Sequence, residues 1–102
     1  VARQSVVHPL PGQGEKVEQL LDELQAHYAT LPGFVLGFRY RPHANPSEIG
    51  RIGVWHSSDD SNHAASDHHV VALRARLNAL IHGEHIERLM DIEGKPHNLP
   101  GA

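Results

Sequence analysis

Between residues 13 and 30 the apolar side chains fall at Val17, Leu20, Leu21, Leu24 and Tyr28, spaced i, i+3, i+4, i+7 and i+11. That is one face of a 3.6-residue period, so it predicts an amphipathic helix from Gln13 to Thr30, with Glu15 near the positive end of its dipole. Pro32 and Gly33 stop it. The period then drops to two: Phe34, Leu36, Phe38 and Tyr40 alternate with Val35, Gly37, Arg39 and Arg41. After a turn at Pro42 to Ser47, Ile52 and Val54 alternate with Ile49, Arg51, Gly53 and Trp55. Two such strands joined by a short loop predict an antiparallel hairpin. Val6 and Val7, followed by the breaker Pro9 to Gly12, predict a first strand over Val1 to His8. Ser57, Ser58 or Asp59 can cap a short helix over Asp60 to Ala65. Ser66 and Asp67 then open a longer helix from His68 to His82, with the stripe Val70, Leu73, Leu77, Leu80 and Ile81. Ile86, Leu89, Met90 and Ile92 predict a last strand within Glu84 to Glu93, and Gly94 to Ala102 reads as a tail.

The order β-α-β-β-α-β names an α+β, ferredoxin-like domain over residues 1–93: a four-stranded antiparallel sheet with two helices on one face. Neither face of the hairpin is wholly polar. One carries Phe34, Leu36, Phe38 and Tyr40, and the other Val35, Ile49 and Trp55. Two half-apolar faces predict that both are covered, one by the helices and one by a second copy, which makes the protein a homodimer.

Composition narrows the function classes. The 102 residues carry 9 basic and 12 acidic side chains, a net charge of −3, and no basic stripe, so no nucleic-acid partner is expected. The absence of cysteine excludes disulfides and thiolate metal sites. No apolar run spans a bilayer and the first residues do not read as a signal peptide, so the expectation is a cytoplasmic protein without a membrane partner.

The candidate chemistry lies in the ten histidines, four of which fall in the stretch WHSSDDSNHAASDHH from Trp55 to His69. His63 and His68 flank the break between the two helices, where an imidazole can face a cleft and act as a general base. The plain alternative is that they are solvated. Trp55 is either the aromatic wall of a small-molecule pocket or a core residue at a strand end. Tyr28, on the core face of the first helix, and His69 complete the candidate binding set. Asp59, His63 and Asp67 share an i, i+4 spacing, but the helix break spoils it as a ligand set, and no metal is expected. Arg39 across from Arg51 would place like charges together and call for a carboxylate, from Glu48, a dimer mate or an anionic ligand, the default being that these charges lie on a solvated strand edge.

In order along the chain stand Pro11-Gly12, an acidic amphipathic helix, LPGF at Leu31 to Phe34, Trp-x-Ser at Trp55 to Ser57, and HAASDHH at His63 to His69. Together these resemble the antibiotic-biosynthesis-monooxygenase family of dimeric α+β barrels, over nearly the whole chain to Glu93. The resemblance implies a pocket between the sheet and helices of each subunit. It implies one of two roles: cofactor-free monooxygenation of a planar aromatic substrate, or non-catalytic metabolite binding or stress response. Trp55 matches the family's strand tryptophan, and His63 and His68 match histidines near the helix break. Haem-degrading members carry an asparagine and a histidine where this chain has Ser5 and Ala72, a departure that argues against haem, so no cofactor is expected.

Overall fold

The computed structural model describes residues 1–97, so the last part of the expected tail, residues 98–102, lies outside the described residues. The elements are β1 (Ala2–Val7), α1 (Gly14–Tyr28), β2 (Phe34–Tyr40), β3 (Ile49–Trp55), α2 (Ser58–Ala65), α3 (His68–Asn78) and β4 (Ile86–Met90). They form one antiparallel sheet in the order β2-β3-β1-β4, the ferredoxin-like arrangement that the element order predicts.

The 3.6-residue stripe of α1 is buried throughout, from Val17 to Tyr28. It meets Val70, Leu73 and Leu77 of α3, and Val7, Ile49 and Trp55 of the sheet, in one core. The two later helices start on side-chain caps. Ser57 Oγ accepts from the Asp60 amide at 3.1 Å, and Asp67 accepts from the amides of His69 and Val70. Both caps lie among the sequence candidates. α3 is shorter than expected, ending at Asn78, because the chain after it turns back to bridge Pro9 and Ile81. Gly33, at φ 85°, supplies the left-handed residue that reverses the chain between α1 and β2.

One strand departs from simple alternation. Phe34 pairs with Trp55 but Leu36 pairs with Val54, so a bulge at Val35 places Phe34 on the helix side. There Phe34 packs edge-on against Trp55 at 5.2 Å. Leu36, Phe38 and Tyr40 stay on the other face. That outer face presents three rows: Leu36, Val54, Ala2, Met90; Phe38, Ile52, Gln4, Arg88; and Tyr40, Gly50, Val6, Ile86. No described helix covers it, and Leu36, Phe38 and Ile86 are each about half exposed.

Within the third row Tyr40 lies flat over Gly50 and accepts a hydrogen bond from Gln4 Nε2 at 2.7 Å. A Cβ on Gly50 would stand 2.1 Å from the tyrosine ring. Gly50→Ala should therefore cost about 1–3 kcal/mol in urea unfolding, by expelling the ring and breaking that bond. In a Tyr40→Ala background the same change should cost almost nothing; an equal cost in both backgrounds would locate the strain elsewhere.

Candidate functional site

On the helix side of the sheet the alternation that buries Trp55 also buries charge. Arg51, four residues earlier on the same strand, shares that face and is 2% exposed. Its Nη1 donates to Gln25 Oε1 at 3.1 Å, and its guanidinium carbon sits 4.4 Å above the centre of the Tyr28 ring. Its Nε is buried without a partner. Tyr28 in turn meets Trp55 edge-to-face at 5.6 Å. Across from Arg51 on β1 stands Ser5, and across from Ser5 on β4 stands Glu87.

Glu87 is the hub of this polar interior. It accepts from Arg3 Nη1 at 3.4 Å and from Ser5 Oγ at 3.5 Å, and forms an ion pair with Arg74 Nη2 of α3 at 3.1 Å. Arg3 is further held by Ser61 Oγ at 2.8 Å and Asn62 Oδ1 at 2.7 Å, both on α2. His85, immediately before β4, places Nε2 3.9 Å from Glu87. Its side chain is 8% exposed, and both ring nitrogens are buried without a hydrogen-bond partner.

Burial sets the protonation of this cluster. It holds the His85 imidazole below its ordinary value, against the pull of Glu87 and with help from the charges of Arg74 and Arg51. Burial likewise raises the Tyr28 phenol, opposed mainly by Arg51. At neutral pH the site therefore holds a neutral imidazole and a protonated phenol among three guanidiniums and one carboxylate.

The sequence candidates divide. Trp55 and Tyr28 are brought together at the edge of the cluster. His63 and His68, expected as the proton-handling pair, are exposed and do not join Trp55. The helical period explains this: α2 turns Ser61 and Ala64 inward, leaving His63 on the opposite side, and α3 turns Val70 and Leu73 inward, leaving His68 outside. His63 instead lines an open surface cleft of about 270 Å³ with Leu31, Pro32, Asp60, Ala64, Ser66 and Asp67. His69, also exposed, lies with its ring 4.5 Å from that of His27, whose Nε2 is 2.8 Å from Asp67 Oδ1. Asp67 is thus both a helix cap and the hydrogen-bond partner of the His27 ring, its carboxyl held low chiefly by the Val70 amide. Among the described residues no group of three or more His, Asp or Glu side chains is placed to hold a metal ion.

No family model and no curated protein matches the sequence. Solved structures do. The crystal structure of an antibiotic biosynthesis monooxygenase aligns at TM-score 0.80 and 17% identity, over 91% of this chain and 98% of that one. The structure of Rv0793 from Mycobacterium tuberculosis aligns at TM-score 0.83 and 16% identity, over 93% and 97%. SnoaB, a cofactor-independent oxygenase from Streptomyces nogalater, aligns at 0.72 and 21%, over 90% and 94%. The chain has the antibiotic biosynthesis monooxygenase fold.

Within that monooxygenase fold, Arg3, Arg74, His85 and Glu87 are what sequence reasoning left aside, while Arg51 enters it only for its charge opposite Arg39 and Ser5 only as a departure from the haem-degrading pattern. One signal was available, since Arg51 shares with Trp55 a strand face that the core must cover. Arg39, paired in register with Arg51, avoids it by turning to α1, where Asp22 accepts at 2.9 Å and Glu18 lies at 3.6 Å. Glu48, the carboxylate considered for this role, faces His8 at 3.7 Å instead. Ser5 is buried against Glu87, and Ala72 is exposed on α3.

The depressed His85 carries a pH signature. Protonation is harder in the folded state, so its neutral form contributes fully above the ordinary value of 6.5. That contribution is lost as pH falls from there through the lower folded value. Compared with His85→Asn, the unaltered chain should lose urea stability as pH falls below 6.5. Asp67 acts in a separate window, because its lowered carboxyl loses its contribution only below the ordinary 3.8. Parallel stability curves for the two proteins above pH 4 would show that His85 is not buried as described.

Proposed function

We propose that the protein is a cofactor-independent oxygenase of a small planar aromatic molecule, bound between sheet and helices and worked on by a homodimer. The observation that carries the reading is His85: a neutral imidazole with unpartnered ring nitrogens, buried next to Glu87 and within the field of Arg51, which itself packs on Tyr28. Such a base can take a proton from a phenol or from a carbon made acidic by flanking rings. The resulting anion is stabilised by the neighbouring guanidinium and is electron-rich enough to reduce O₂. In balance, a CH₂ between two rings and one O₂ give a carbonyl and one water. Trp55 and Tyr28 supply the aromatic wall, and the similarity to SnoaB supports this chemical class.

A second reading, a barrel that binds a metabolite without turning it over, draws on the burial of both His85 nitrogens, which a ligand must uncover before any proton moves. The two separate in one measurement. Anthrones, naphthols and hydroquinones are screened for thermal stabilisation, and the hits are then followed by oxygen uptake without added metal or flavin. Stoichiometric O₂ consumption supports the oxygenase. Tight binding with no uptake above the buffer rate supports the binding protein.

A further inference from the structure

The interior cluster is not electrically balanced. Arg3 and Arg74 share Glu87, while among the described residues no carboxylate lies within ion-pair distance of Arg51. Its partners are an amide oxygen and an aromatic face, and its Nε has none. With His85 neutral and Tyr28 protonated, the site keeps two positive charges unmatched. An unpaired buried charge is among the costlier features a fold can carry, and a ligand anion would relieve it.

We propose that the cluster is a carboxylate site, and that its planar ligand is an aromatic acid anchored by Arg51 and Arg74. The inference rests on the placement of the ligand given above and adds its charge. Three features of the geometry agree with it. Two side chains that are nine-tenths buried or more, Arg51 and His85, carry unpartnered polar atoms, and the charge of Arg51 is felt at the His85 imidazole. Gly53 lets the Arg51 guanidinium and the Trp55 indole close over the strand, since a Cβ there would stand 3.0 Å from Arg51 Nη1 and 3.3 Å from Trp55 Nε1, and this sets the cation beside an aromatic ring. The cluster also reaches the surface: Arg74 is 25% exposed, and Leu89, beside Arg3 on the same sheet face, is 45% exposed, which gives an acid a path inward. Guanidinium is suited to this task because its donors match both oxygens of a carboxylate and it stays charged when buried.

The test uses three acid–amide pairs of growing ring count: benzoate and benzamide, 2-naphthoate and 2-naphthamide, 9-anthroate and 9-anthramide. Calorimetry on the whole chain should show at least one acid binding roughly 10- to 100-fold tighter than its amide, the range of one or two charge-assisted hydrogen bonds. Arg51→Gln should reduce that preference to within about 3-fold, and Arg74→Gln, at a partly exposed position, serves if the first variant fails to fold. Glu87→Gln should widen the preference by removing the competing carboxylate. Equal binding of acid and amide in every pair, no saturable binding by any acid, or a preference untouched by both arginine variants overturns the proposal. Oxygen uptake keeps the two readings apart. Acid preference without uptake sinks the oxygenase and leaves this site, whereas uptake on neutral substrates with no acid preference does the reverse.

Discussion

A chain carrying Leu36→Asp and Phe38→Asp together should sediment as a monomer at micromolar concentration, where the unaltered chain sediments as a dimer. The two positions stand in adjacent rows of the outer sheet face, next to Val54 and Ile52, and each is about half exposed in the single chain. Neither contributes to the core beneath the helices, so the monomer should keep its fold and its far-UV spectrum. In a face-to-face pair the same residues would be desolvated, and a two-fold axis would bring four new carboxylates into one apolar patch. A stable interface of this kind buries about 1,600 Å² in total, and unpaired carboxylates near its centre cost far more than the lost contacts. Control substitutions at Arg76 and Glu23, exposed between α1 and α3, should leave the dimer intact. An unaltered chain that sediments as a monomer would remove the homodimer from the proposal and leave the outer face without its expected cover.

The order of elements was legible because each rests on a local period or a local stop. α1 shows this most plainly: the five residues of its stripe are the five buried ones, and Pro32 and Gly33 follow its end. Ser57 and Asp67 were legible as caps for the same reason, since a cap is read from its immediate neighbours. The bulge at Val35 was not, because an extra residue in a strand leaves no mark in the alternation until the partner strand is placed. Trp55 and Tyr28 are large and sit on apolar faces, so their meeting follows from the stripes that carry them. His63 and His68 drew attention by clustering in sequence, yet a helix separates neighbours in sequence by 100° and turned both outward. Arg51, Arg3 and Glu87 come from three different strands, with His85 just before the last, and are brought near one another only through the β3-β1-β4 register, which no local pattern encodes. A buried arginine also runs against the usual rule that arginine lies outside, so Arg51 was weighed as a strand-edge charge before the register placed it under Tyr28.

His85→Gln should lower the rate of oxygen uptake on any substrate found by about 100-fold or more, while His63→Ala and His68→Ala should retain nearly all of it. Glutamine keeps the length and a hydrogen-bonding end at the position but cannot take up a proton, so the variant separates base chemistry from packing. The pH profile gives a second and independent readout. Burial favours neutral imidazole, so the acid limb of kcat/KM in the unaltered chain should fall below the ordinary 6.5, and it should vanish in His85→Gln. Arg51→Gln should act differently. It removes the cation nearest to the developing anion, and so slows turnover while the acid limb moves toward 6.5, because one of the charges that depress His85 has gone. A full rate in His85→Gln beside a large loss in His63→Ala would move the chemistry out to the cleft at Leu31 and Asp60, and the buried imidazole would then be a packing residue.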